Sequence, residues 1–186
     1  GEVTTLFHEF GHAIQHLLTQ QEFEDVSGIN GVEWDAVELA SQFMENWASR
    51  TEVLKSISEH IETGKVLPDD IIERIKRYDH YRAASGLQRQ LNFGYMDMLL
   101  HSQYPSEKYP SIAAIEEEAG RRFPRAKKIP NENFLCTFSH IFAGGYAAGY
   151  YSYMWADILA ADAYLAFDEL GDDEAAICKL GRHYAA

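Results

Sequence analysis

A chain of 186 residues with 46% hydrophobic and 13% aromatic content is long enough to bury one core and short for two, so a single domain is expected. A formal net charge of −13, with no basic stripe against it, argues against nucleic acid or an acidic membrane surface as partner. Two cysteines, Cys136 and Cys178, without CxxC spacing suggest neither a disulfide framework nor a thiolate metal site and suit a reducing cytoplasm; no leader and no apolar run of membrane-spanning length is visible.

In chain order, the first periodic stretch is Val3 to Thr19. At helical rotation, Val3, Leu6, Phe7, Phe10, Ala13, Ile14 and Leu17 fall on one half, and His8, Glu9 and His12 on the other. Imidazoles four residues apart can reach one metal ion, and a glutamate beside the first is placed to act on a water held there. The same spacing also fits two histidines and a glutamate on a solvated helix face. His16 does not extend the ligand set: it stands about 12 Å from His8 along the axis, too far to share an ion bound at about 2.1 Å.

The turn formers Ser27-Gly28-Ile29-Asn30-Gly31 allow a second helix, expected over Gly31 to Trp47, to fold back on the first. Its polar stripe is Asp35, Glu38, Gln42 and Glu45, and its buried stripe Ala36, Leu39, Ala40, Phe43, Met44 and Trp47. Glu38, central in the polar stripe, offers the third metal ligand that a zinc site of this kind needs. Asp35 and Glu45 either accept the N–H that each ligating imidazole leaves over or are plain solvated charges.

Further on, Thr51 to Thr63 reads as a helix with Val53, Leu54, Ile57 and Ile61 inward and Gly64 as its stop. Asp70 with Glu73 resembles a capping box opening a helix that carries Ile71, Ile72, Ile75 and Tyr78. Ala84 to Gln103 places Leu87, Leu91, Tyr95, Met98 and Leu99 at helical spacing, as a core face. A loop over 104–110, a charged helix over 111–123 and an irregular connector over 124–133 follow; the basic cluster Arg121 to Lys128 reads as a solvated loop or as an anchor for substrate carboxylates. His140 then closes an apolar segment, Gly144-Gly145 precede Tyr146, and Gly149 opens a helix with Tyr150, Tyr151, Tyr153 and Trp155. The Ala-rich stretch to Ala166 and a last helix over 169–186 complete the chain. No segment sustains a period of two, so the fold class expected is all-α, with little or no sheet.

Three blocks, HEFGHAIQHLLT, SGINGVEWDAVELASQFMENW and FSHIFAGGYAAGYYSYMWADILAADAY, resemble in content and order the oligopeptidase A and thimet oligopeptidase family of zinc metallopeptidases, and cover about a third of the chain. The resemblance implies His8, His12 and Glu38 as ligands of one Zn2+ per chain and Glu9 as general base. It further implies His140, Tyr146 and Tyr153 as groups that bind substrate or stabilise its tetrahedral intermediate; Gly144 and Gly145, counted with Tyr146 as substrate-binding, relax the backbone, and from this a turn on which Tyr146 swings toward substrate is expected. Ala40 stands where that family commonly has proline, a difference that leaves ligation untouched.

On this reading the chain is one helical zinc-peptidase catalytic domain, a piece of a larger two-lobed enzyme whose N-terminal lobe is its partner. Its substrates would be short oligopeptides cut at internal bonds, with Glu9 moving the proton from the attacking water to the leaving amine and Tyr153, assisted by His140, bonding the oxyanion. Two other readings predict different behaviour: a zinc-binding piece inactive without its missing lobe, and a helical protein-interaction module that holds no stoichiometric metal.

Overall fold

The computed structural model describes residues 1–124 and 133–185, and among these every regular element is helical. The α-helices are α1 (Glu2–Leu17), α2 (Leu39–Trp47), α3 (Thr51–Ile57), α4 (Asp69–His80), α5 (Ala83–Ser102), α6 (Ile112–Arg122), α7 (Phe134–Thr137), α8 (Ser152–Asp168) and α9 (Glu174–Tyr184). No described helix is long and apolar enough to cross a membrane. The chain divides into two compact units, Gly1–Tyr78 with Trp155–Ala186, and Asp79–Met154.

In the first unit α1 lies against α2 through Gly11. This glycine is buried, and a Cβ there would stand 2.6 Å from the carbonyl oxygen of Ala40 and from Ser41 Cα, so only a residue without a side chain permits the approach. Phe43 of α2 is buried with Ala160 and Phe167 of α8, and Met44, Trp47, Tyr164, Ile177 and Leu180 pack around them. Arg50 fastens the end of α2 to the α8–α9 turn: one guanidinium nitrogen donates to the Gly171 carbonyl at 2.6 Å, and the group sits over the Trp47 ring. Asp173 caps α9 by accepting from the Ala176 N–H at 3.0 Å.

The second unit is centred on α5. Phe93, Met96 and Leu99 are buried with Tyr109, Ile115, Ala119, Phe138, Ile141 and Tyr150. Ser111 caps α6 through the Ala114 N–H.

Several boundaries and faces differ from expectation. The helix expected from Gly31 begins at Leu39, because residues 34–38 form turns, and Glu38 therefore sits at the N-cap of α2 rather than inside it. The helix expected to Thr63 ends at Ile57. There the Ser58 hydroxyl accepts the Leu67 N–H, and His60 Nδ1 accepts the N–H groups of Glu62 and Thr63, so side chains draw the backbone out of the helix and leave Ile61 exposed. Asp70 lies within α4, where the Pro68 carbonyl, not a capping box, meets the first free N–H groups. The apolar half of α1 is largely exposed, Leu6 by 65% and Leu17 by 76%, since it is Gly11 that packs on α2. On α5 the buried side carries Asn92 and Asp97 beside Phe93 and Met96, while Leu87, Leu91 and Met98 face outward. The helix expected from Gly149 starts at Ser152, and the last one starts at Glu174. The connector beyond Pro124, with the basic residues 125–128, lies outside the described residues.

Candidate metal centre and aromatic loop

The helical repeat of α1 sets the rings of His8 and His12 one turn apart, their centroids at 5.1 Å and nearly perpendicular. The Nε2 atoms of both lie 3.2 Å from one oxygen of Glu38, Oε2. One ligand-type atom from each of the three residues falls within 4.8 Å of the others. Glu38 is only 4% exposed. The fully buried Ser41 orients it, donating its hydroxyl to Oε2 at 2.8 Å and to the Glu38 carbonyl at 2.9 Å. Two turns on from Glu38, Glu45 Oε1 stands 2.6 Å from His8 Nδ1.

Two imidazole nitrogens and one carboxylate oxygen converging from two elements are donors of the types and number that hold a three-ligand zinc ion. The second nitrogen of His8 meets a carboxylate, as the outer nitrogen of a ligating imidazole commonly does. The residues present therefore fit a zinc ion. His12 Nδ1 is buried with no hydrogen-bond partner among the described residues. Asp35, in the turn before α2, bonds neither imidazole. Glu9 is exposed on α1 beside His8 and makes no ion pair among the described residues. His16 lies against Gly28, away from the ligand group.

Each nitrogen of the His8 ring faces a carboxylate oxygen, Nε2 that of Glu38 and Nδ1 that of Glu45. The hydrogen bonds to Glu38 and then Glu45 hold its proton against the opposing effect of burial, and its pKa is pushed from 6.5 up to about 10.

In the second unit, His140 lies in a short 3-10 turn, Ser139–Ile141, and its backbone carbonyl accepts the Tyr146 N–H at 2.9 Å. Gly144 has no space for a side chain, since a Cβ would stand 2.9 Å from His140 Cα, and Gly145 takes a φ of 85° that glycine adopts without strain. The Tyr146 and Tyr153 rings stack at 4.8 Å, and the His140 ring is 6.0 Å from that of Tyr153. Tyr150, on the same loop, is buried and donates its hydroxyl to Gln90 at 2.9 Å.

A cleft of about 750 Å³ between α1, α2 and α9 is lined by Ile14, Leu18, Phe43, Met44 and Ile177; none of His8, His12 and Glu38 borders it, and it holds none of the chemistry described above.

Sequence reasoning passed over Ser41 and Gly11. Ser41 stands three residues after Glu38, the spacing at which a hydroxyl reaches back one turn, and the glycine inside the HEFGH helix, at a cost in helix propensity, signals a close approach.

The sequence model of Peptidase family M3 matches residues 1–185. The chain belongs to peptidase family M3. Among M3 relatives, it is 47% identical over 184 residues to the organellar oligopeptidase A, chloroplastic/mitochondrial, of Arabidopsis thaliana, covering 98% of this chain and 23% of that protein. It is 51% identical over 171 residues to the oligopeptidase A of Haemophilus influenzae, covering 92% of this chain and 25% of the relative. A dipeptidyl carboxypeptidase of Salmonella typhimurium matches at 36% over 171 residues, 91% of this chain and 25% of the other. The chain thus spans about a quarter of the length of these M3 relatives.

Proposed function

We propose that this chain is the catalytic region of a zinc-dependent oligopeptidase that hydrolyses internal bonds of short peptides. The observation that carries the reading is the convergence of His8 Nε2 and His12 Nε2 on Glu38 Oε2, each at 3.2 Å. His8, His12 and Glu38 would hold one zinc ion per chain. When bound, it would supply Lewis acidity, lowering the pKa of a water toward neutrality and polarising a peptide carbonyl. Glu45 would keep the His8 ring turned with Nε2 toward the ion, and Ser41 would do the same for Glu38 Oε2. Glu9, exposed next to His8, would take the proton of the attacking water and deliver it to the leaving amine. Tyr153 assisted by His140 would donate to the oxyanion, and Tyr146 would engage the peptide, roles that rest on the sequence resemblance. The higher identity to oligopeptidases A than to the dipeptidyl carboxypeptidase supports cleavage at internal bonds.

The remainder of a longer two-lobed protein would complete the substrate channel, the whole working in a reducing cytoplasm in which the exposed Cys136 and Cys178 stay thiols. The exposed apolar face of α1 favours a second reading, in which the chain binds zinc but turns over peptide only with that remainder present.

Elemental analysis of the purified chain beside Glu38→Ala tests the proposal. One zinc per chain, lost in the variant, supports it. No zinc in the wild type after metal is added back rejects it. Zinc without turnover of a fluorogenic peptide, restored by the rest of the protein, selects the second reading.

A further inference from the structure

The middle of α5 holds a carboxylate that the proposed reaction does not use. Asp97 has no solvent exposure, and it shares the buried side of its helix with Phe93, Met96 and Leu99. A charge is kept in such a place only when fully partnered. Its partners lie along one short segment and one turn of its own helix: Oδ1 accepts the Ala148 N–H at 3.0 Å, Oδ2 accepts the Tyr150 N–H at 2.9 Å, and His101 Nδ1 lies 2.7 Å from Oδ1. Ala148 has a φ of 55°, the left-handed region that a residue with a Cβ enters only under constraint.

The segment so constrained, 147–151, joins Tyr146 to the start of α8 and hence to Tyr153. The main chain at Tyr146 is therefore held from both directions, by the His140 carbonyl on its own N–H and by the Asp97 carboxylate on the turn that follows, against the swinging turn expected from Gly144 and Gly145. The outcome is the stacked Tyr146–Tyr153 pair at 4.8 Å with His140 beside it.

We propose that Asp97 is the positioning residue for the His140–Tyr146–Tyr153 group, clamping the turn after Tyr146 through two main-chain N–H groups with His101 as its third donor. The inference rests on the peptidase reading for what those three side chains do, but the clamp can be measured apart from it. Asn at position 97 keeps the size and one acceptor oxygen, and sets an NH2 group against a main-chain N–H.

Amide hydrogen exchange followed by NMR on the intact chain decides the clamp. In the wild type the Ala148 and Tyr150 amides should be protected; exchange at unprotected rates would overturn the clamp without any variant. In Asp97→Asn their exchange should quicken about tenfold or more while the amides of α1 and the zinc stoichiometry stay unchanged. Unaltered exchange at both positions would overturn it as well. For the positioning role, peptide kcat should fall about tenfold in Asp97→Asn with KM little changed, and Asp97→Asn with Tyr153→Phe should lose no more than Tyr153→Phe alone. Losses that multiply would assign Asp97 to general stability. A wild-type chain that folds, shows the protection and turns over nothing, even with the rest of the protein, would remove the peptidase reading and with it the positioning role; the clamp would stand.

Discussion

Replacing Gly11 with alanine puts a methyl group where the α1–α2 approach has no room. Its Cβ would stand 2.6 Å from the Ala40 carbonyl oxygen and Ser41 Cα and 3.0 Å from the Ala40 carbonyl carbon. All three are main-chain atoms, so no rotamer change relieves the overlap. Heavy atoms settle at about 3.5–4.0 Å, so the helices must part by roughly 0.8 Å or more. His8 and His12 travel with α1 and Glu38 with the start of α2, and the ligand set opens by a comparable distance. A metal constellation tolerates about 0.5 Å, so zinc affinity should fall by an amount like that for loss of a supporting partner, about 10- to 100-fold.

The metal-free chain should also lose about 1–3 kcal/mol to overpacking, which corresponds to about 2–4 °C of melting temperature per kcal/mol for a chain of this size. Chelator-competition titration reads the first effect and thermal unfolding by circular dichroism the second. Gly120→Ala on α6, where an added Cβ meets nothing within 4 Å, is the control. It should gain about 0.5–1 kcal/mol from helix propensity and leave zinc binding unchanged. A Gly11→Ala chain that binds zinc and melts like the wild type would refute the close-approach argument.

Glu9→Gln should retain one zinc per chain and lose about 10²- to 10⁴-fold in peptide turnover; turnover near the wild-type rate would remove Glu9 as the base. Glu45→Gln replaces the carboxylate on His8 Nδ1 and should weaken zinc binding about 10- to 100-fold, read by the same chelator competition, with an unchanged constant refuting its support of the ring. The His8 proton, with its pKa raised to about 10, stabilises the metal-free fold fully below pH 6.5 and that contribution is lost as pH rises through about 10. Zinc must displace this proton, so its apparent affinity should rise about tenfold per pH unit between those limits with one proton released per ion, and a flat profile would reject the compensation of Glu38 by His8.

How much of this was legible in the sequence follows from which residues report on themselves and which report only through a distant partner. The His8–His12 spacing is a local property of one helix, and the all-α class follows from the missing period of two. Glu38 stood out as a polar residue in an amphipathic segment, but its place at the head of α2 depends on turns whose N–H and C=O groups pair locally, Ala36 with Glu33 and Leu39 with Ala36. The early stop of α3 depends on Ser58 and His60 outbidding the helix for the backbone, a competition that apolar spacing does not register. On α5 the expected core face held for Leu99 and for Tyr95, which packs against the core, but not for Leu87, Leu91 and Met98, which are exposed. The buried side includes Asp97, whose two main-chain donors lie more than fifty residues away, so nothing in the local sequence of α5 marks this acid as the most enclosed group on the helix.

The charge balance at the metal centre links the fold to the proposed chemistry. Glu38 is buried, and a buried carboxylate is expensive unless it is partnered. His8 faces it at 3.2 Å with Glu45 on the other side of the ring, and these two carboxylates hold the His8 pKa up at about 10. On the proposed reading zinc would exchange for the His8 proton and would not need to fold the site. This separates the centre from small structural zinc domains, in which the ion supplies the folding energy. Chelation should therefore abolish the peptidase chemistry while leaving the α1–α2 packing through Gly11 in place.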